Sequence, residues 1–209
     1  MIIGIPIYNK VDLLDVAGPH EVLKWMDPNL DLRLIAKTAG DKVTTRDGFT
    51  MVAPFGYDDV PALDVLWVPG GDLDALQFLM REQDGGDYLN FLRTRSAAAK
   101  YVCSVCEGAL LLAKAGLLDG FEVTTHWAFI PCLERFPNIR VAPGTPRFVL
   151  DRNRLTGGGI SSGLDEALKL VELLSTYEIA QGVQQIMQYY PDPPVTSELK
   201  PATECPFNW

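Results

Sequence analysis

Cys106 is the residue with the widest chemical reach in this chain. It stands where the apolar, β-branched run Tyr101-Val102-Cys103-Ser104-Val105 gives way to Glu107-Gly108 and the helix-forming Ala109 to Ala113. A residue at a corner between strand and helix is pushed into strained backbone geometry, with the following amides aimed at its side chain. A helix N-terminus favours negative charge, so a thiol placed there is expected to ionise more easily than a free one. Cys106 is therefore the expected nucleophile. Cys103 lies inside the apolar run and reads as core. A thioredoxin-like Cys-x-x-Cys disulfide would need both cysteines at a helix start, and a zinc site would need a second pair, which Cys132 and Cys205 do not supply.

Four further features could complete a site. Asp15 either caps a helix beginning near Pro19 or faces the thiol; opposite a thiolate its carboxyl would hold its proton and serve as an acid-base group. Glu107 either complements the helix dipole or adds a second carboxyl to the pocket. His126, after Thr124-Thr125, is either structural or the base of a Cys-His dyad, and His20 and Trp127 are candidate pocket walls. Gly70-Gly71 is either a tight turn or a place where bare backbone amides approach an anion. Gly157-Gly158-Gly159 lacks both the Lys-Ser/Thr of a Walker loop and the spacing of a dinucleotide fingerprint, so it reads as a packing turn. No His, Asp or Glu cluster has the spacing of metal ligands.

These residues must be held by surrounding elements. Strands are expected at Met1–Tyr8, Leu30–Ala36, Asp64–Val68 and Tyr101–Val105, with hairpins around residues 38–53 and 147–156. Helices are expected from near Pro19, with that proline in the first turn, and at Leu73–Arg81, Tyr88–Lys100, Trp127–Phe136, Gly163–Leu174 and Glu178–Tyr189, with Trp25 and Trp67 in the core. Strands alternating with helices imply an α/β sandwich on a mainly parallel sheet, whose sites lie beyond the carboxyl ends of the strands. Asp15, Gly70-Gly71 and Cys106 all follow such ends. The 209 residues suffice for one domain, expected over residues 1–194, and a proline-rich tail from 195 to 209 should wrap the surface or reach a partner. A formal charge of −9 argues against nucleic acid, and no stretch is long enough to span a membrane. With no basic leader, the four cysteines are expected to be reduced thiols and the location cytoplasmic.

Asp15-Val16-Ala17-Gly18-Pro19, Val68-Pro69-Gly70-Gly71, Ser104-Val105-Cys106-Glu107-Gly108, Ala115-Gly116-Leu117-Leu118-Asp119-Gly120, Thr124-Thr125-His126-Trp127 and Thr156-Gly157-Gly158-Gly159-Ile160 occur in this order. In this the chain resembles the ThiJ/PfpI superfamily, which is class I glutamine amidotransferase-like. Within that superfamily it looks most like the isocyanide (isonitrile) hydratase branch, and the similarity runs on through Ala180-Gln181, Gln188-Tyr189 and Pro191-Asp192-Pro193-Pro194. The resemblance implies a flavodoxin-like three-layer sandwich with a nucleophile elbow, a homodimer, and no cofactor. Carried over by position, Cys106 is the nucleophile and Asp15 its acidic partner. The amides of Gly70, Gly71 and Gly108 would hold developing negative charge. Glu107 departs from the pattern, because the hydratases carry threonine there. The implied reaction is hydration of a small neutral isocyanide to an N-substituted formamide through a covalent thioimidate. The alternatives are glyoxalase-like handling of another small electrophile, or a cysteine-based redox or ligand sensor without turnover.

Overall fold

Three short, branched apolar runs, too brief for helices, pair side by side at the centre of the molecule. The computed structural model describes residues 1–207, so the last two residues of the expected tail lie outside the described residues. The order is β1 (Ile2–Pro6), α1 (Leu13–Met26), β2 (Asp31–Ala36), β3 (Lys42–Thr44), β4 (Thr50–Val52), β5 (Phe55–Gly56), β6 (Val65–Val68), α2 (Leu73–Met80), α3 (Glu82–Arg95), β7 (Tyr101–Ser104) and α4 (Gly108–Lys114). There follow β8 (Glu122–Val123), α5 (Ile130–Leu133), β9 (Arg140–Val141), β10 (Phe148–Asp151), β11 (Arg154–Gly157), α6 (Ser162–Leu174) and α7 (Tyr177–Ile186).

The main sheet runs β10-β11-β7-β6-β1-β2-β5. All its pairs are parallel except the β10–β11 hairpin. Helices α1, α6 and α7 pack together as one layer, while α2, α3, α4 and α5 form another. This is the expected flavodoxin-like sandwich. Strands β6, β7 and β1 are wholly buried or nearly so and carry residues such as Ile3, Ile5, Leu66, Trp67 and Val102, which identifies them as the sheet's interior. The chain leaves β1 toward β2 on one side and later returns as β6 on the other. The carboxyl ends of β1, β6 and β7 therefore flank a topological switch point, where a crevice opens.

Several expectations need correction. Helix α1 starts at Leu13 rather than near Pro19, so Asp15 lies within its first turn and Pro19 inside it. The ring of Pro19 removes the amide that would bond the Asp15 carbonyl four residues back, and the indole of Trp67 donates to that carbonyl instead, at 3.1 Å. Trp67 is core as expected, but Trp25, also expected there, is 50% exposed. Helix α3 begins at Glu82, well before Tyr88, because Glu82 and Asp84 favour its positive end and Gly85 allows close packing on Leu79. The expected helix over Trp127–Phe136 shrinks to a 3₁₀ turn, Trp127–Phe129, followed by the single turn of α5. The cysteines are not all reduced thiols: Cys132 and Cys205 form a disulfide, which leaves Cys103 and Cys106 free. No helix among the described residues is long and apolar enough to cross a membrane.

Candidate active site

Past β7 the backbone turns sharply at Cys106, whose φ of 56° lies in the left-handed region that side chains with a Cβ avoid. Such a conformation costs about 1–2 kcal/mol and persists only where neighbours hold it. Here the Cys106 amide donates to the Gly158 carbonyl at 2.8 Å, and the Thr125 hydroxyl donates to the Cys106 carbonyl at 2.8 Å. The turn closes with the Gly108 amide donating to Val105 O at 3.0 Å, and α4 begins at once. The expected nucleophile elbow is therefore present in backbone form, with the sulfur held in a site that is only 1% exposed.

Asp15 projects from the first turn of α1 and is completely buried. Its Oδ2 accepts from the Gly70 amide at 2.9 Å, while Oδ1 has no partner. One carboxylate oxygen from each of Asp12 and Asp15 lies, with the Cys106 sulfur, in a group whose members are all within 4.8 Å of one another. The fold thus assembles a thiol and two carboxyls that no local spacing revealed, a donor set that a thiophilic divalent cation could accept. Asp12 is also paired with Arg46, whose Nε stands 2.9 Å from Oδ1. Burial raises the Asp15 pKa well above the ordinary carboxylate value; Asp12 and Glu107 add to the shift, and the Gly70 amide opposes it. The neutral acid form of Asp15 is therefore favoured more than that of an exposed carboxyl.

Glu107 does enter the pocket: it is 5% exposed and its side chain hydrogen-bonds Cys106. Burial raises its pKa to about 7, while the Cys106 side chain, its own amide and the Gly71 amide support the anion. Space for this carboxyl exists because residue 70 has no side chain; a Cβ there would strike the Glu107 carboxyl and stand 2.8 Å from Cys106 Cβ. The Gly70 and Gly71 amides, expected to face substrate, are thus engaged by Asp15 and Glu107 in this state.

The expectation of an easily ionised thiol is overturned. Burial first, then the charges of Asp15 and Glu107, push the Cys106 thiol up, and only the Ile160 amide pulls the other way. A short helix N-terminus cannot offset desolvation plus two carboxyls. The surroundings of the sulfur therefore favour the thiol over the thiolate.

The remaining expected residues separate. His126 and Trp127 line a recess of about 290 Å³ together with Thr125, Gly158 and Ile160. The His126 Nδ1 accepts from the Ala128 amide at 3.2 Å, which commits that nitrogen to capping the turn, and burial lowers the histidine's pKa. His20 is half-buried farther along α1 and lines neither this recess nor the one beside Asp12 and Ile160. A larger cleft of about 830 Å³ lies over the carboxyl ends of β1 and β2, lined by Tyr8, Tyr57 and Tyr88, and does not include Cys106. Sequence reasoning missed Ile160, whose amide faces the sulfur from a backbone with φ of 27°, and Glu166, a wholly buried carboxyl on α6. The glycine run before Ile160 was the available sign of unusual backbone. Nothing local marked Glu166, which sits where α6 supplies apolar residues to the core.

The model of the DJ-1/PfpI family matches residues 2–173. The chain belongs to that family. Among curated DJ-1/PfpI relatives, isonitrile hydratase of Pseudomonas putida is 39% identical over 93% of this chain and 81% of its own length. The HTH-type transcriptional regulator GbdR of Pseudomonas aeruginosa is 31% identical over 81% of this chain, which spans 42% of that regulator. Among solved structures, a ThiJ/PfpI family protein from Pseudomonas syringae superposes with a TM-score of 0.81 at 35% identity, covering 92% of this chain and 76% of that one. Drosophila melanogaster DJ-1beta, at 19% identity and a TM-score of 0.75 over 91% of this chain and all of its own, shares the fold.

Proposed function

We infer that this DJ-1/PfpI protein is a cysteine-dependent enzyme that hydrates an isocyanide to an N-substituted formamide. The observation that carries the reading is the strained Cys106 thiol beside two carboxyls of different character: Asp15, whose neutral form is strongly favoured by burial, and Glu107, which titrates near neutrality. Such a pair divides the work of acid and base. The identity to isonitrile hydratase supports the substrate class.

In the first half-reaction Glu107, as carboxylate, takes the thiol proton while the sulfur bonds to the terminal isocyanide carbon. Asp15, as carboxylic acid, delivers its proton to that carbon, giving a thioimidate on Cys106 and an Asp15 carboxylate. In the second, that carboxylate takes a proton from water as the water oxygen adds to the carbon. Glu107 returns its proton to nitrogen. The C–S bond then breaks, the proton of the new hydroxyl goes to sulfur, and the formamide departs. The cycle restores a thiol, a neutral Asp15 and an anionic Glu107.

Rapid acid quenching during the first turnover of an aliphatic isocyanide tests this by peptide mass spectrometry. The expected species is the Cys106 peptide carrying the mass of the isocyanide, absent in Cys106→Ala. Formamide production at the wild-type rate by Cys106→Ala would sink the mechanism. A second reading, a small-molecule sensor without turnover, draws on the likeness to transcriptional regulators. It would be favoured by a Cys106 that alkylates yet turns over no isocyanide. Pairing of two chains into a homodimer is part of the same proposal, tested by light scattering in solution.

A further inference from the structure

The tail beyond α7 runs largely exposed from Pro191 to Glu204 and then becomes anchored. Among the described residues, its fixed points lie at the far end. Cys205 is bonded to Cys132 on α5, 73 residues earlier. Phe207 is wholly buried with its ring 5.5 Å from that of Phe129, and its carbonyl accepts from Arg135 at 3.2 Å. The Ala202 amide donates to the Trp127 carbonyl at 3.0 Å. Between the last turn of α7 and these anchors the chain has little to hold it.

The anchored tail brings Leu199 onto the recess lined by His126, Trp127 and Ile160. That recess has a floor shared with the elbow. Gly158 accepts the Cys106 amide, Thr125 donates to the Cys106 carbonyl, and the Ile160 amide faces the sulfur. The space is small because the Gly159 backbone lies hard against the His126 ring, where a Cβ would clash. The tail therefore forms a wall over the backbone that holds the reactive sulfur, and one covalent bond fixes that wall.

We propose that the Cys132–Cys205 disulfide is a latch that holds the C-terminal tail as a strap across the His126–Trp127 recess, and that a dithiol reductant releases the strap and widens the approach to Cys106. The S–S bond breaks, Cys132 and Cys205 each gain a hydrogen, and the dithiol becomes a disulfide. Two electrons pass from reductant to latch, and Cys106 itself is not oxidised or reduced. With the bond broken, the tail loses its one covalent tie among the described residues, and what remains there is non-covalent: the burial of Phe207 and hydrogen bonds such as those of Ala202 and the Phe207 carbonyl, contacts of the kind that can open locally without global unfolding. The latch concerns access to the sulfur and does not depend on which electrophile arrives, so it can fail while the hydratase reading stands, and the reverse.

The test compares alkylation of Cys106 by a small probe, iodoacetamide, and a bulky one, pyrene maleimide, each scored at the Cys106 peptide. The protein is used unreduced, after dithiothreitol treatment and desalting, and as Cys132→Ser/Cys205→Ser. The expected result is about a tenfold gain with the bulky probe when the latch is open and less than about twofold with the small one, the signature of a local opening. Leu199→Ala, with the latch intact, should give part of the same gain. Equal rates for both probes in latched and unlatched protein would overturn the proposal. So would four free thiols on denaturing the unreduced protein, since no latch would then exist. If the double variant melts early, the reduced wild-type chain gives the same comparison.

Discussion

Cys103 and Cys106 come from one strand-to-turn segment, and both sulfurs are buried. Burial raises both thiols, and each feels a buried carboxyl: Glu166 for Cys103, Asp15 and Glu107 for Cys106. What separates them is backbone and surroundings. Cys103 is an ordinary residue of β7, paired in register with Trp67 and Leu155. Cys106 sits at positive φ beyond the strand end, where the Glu107 side chain and the Ile160 amide reach its sulfur and Thr125, Gly158 and Ile160 open onto a recess. In the proposed reaction, a buried thiol near a carboxyl is thus not enough. On the proposed reading, the strained corner beyond the strand end makes the difference.

Substitutions that erase this contrast should have graded effects. Cys106→Ala should lower isocyanide turnover by about 10³-fold or more, because the covalent route is lost. Asp15→Asn should lower it by about 10²-fold or more, the usual range for a lost acid-base group, whereas Glu166→Gln, beside Cys103, should leave the rate within about threefold. Steady-state formamide assays on the two variants check the pair.

Glu107 gives a pH signature. As a base whose pKa is raised to about 7, it should produce a rising limb of kcat/KM near that pH, and Glu107→Gln should flatten the limb. The same shift has a stability consequence. The native state keeps this proton to higher pH than the unfolded chain, so the stabilisation is complete below the ordinary glutamate value of 4.5 and disappears as pH rises through about 7. Urea unfolding at pH 4 and pH 8 should show wild type losing about 3 kcal/mol more than Glu107→Gln over that interval. Gly70→Ala should have the smallest of these effects, a loss of about 1–3 kcal/mol measured by the same unfolding, since its methyl group must displace the Glu107 carboxyl.

The elbow was legible because its signal is local: an apolar, branched run ending at cysteine, then glycine and a helix former. The parallel sandwich was legible for a similar reason, since each central strand carries its own short run. The position of Asp15 was legible as a motif but not as a helix residue. Pro19 argues for a boundary, and only the distant Trp67 indole makes its place inside α1 tolerable. The state of the thiol was misread because sequence displays the helix that follows Cys106 but not the depth of burial or the number of carboxyls around it. The disulfide joins residues 73 apart with no spacing rule to connect them. Asp12 and Ile160 reach the sulfur's surroundings from separate loops for the same reason.

The most direct measurement is the rate of N-substituted formamide formation from a small aliphatic isocyanide by wild type, Cys103→Ser and Cys106→Ala, side by side at neutral pH. The account requires turnover in wild type, a rate within about twofold in Cys103→Ser, and only background in Cys106→Ala, because the elbow alone makes one of two buried thiols a nucleophile. Turnover surviving in Cys106→Ala, or no turnover in wild type, would contradict it.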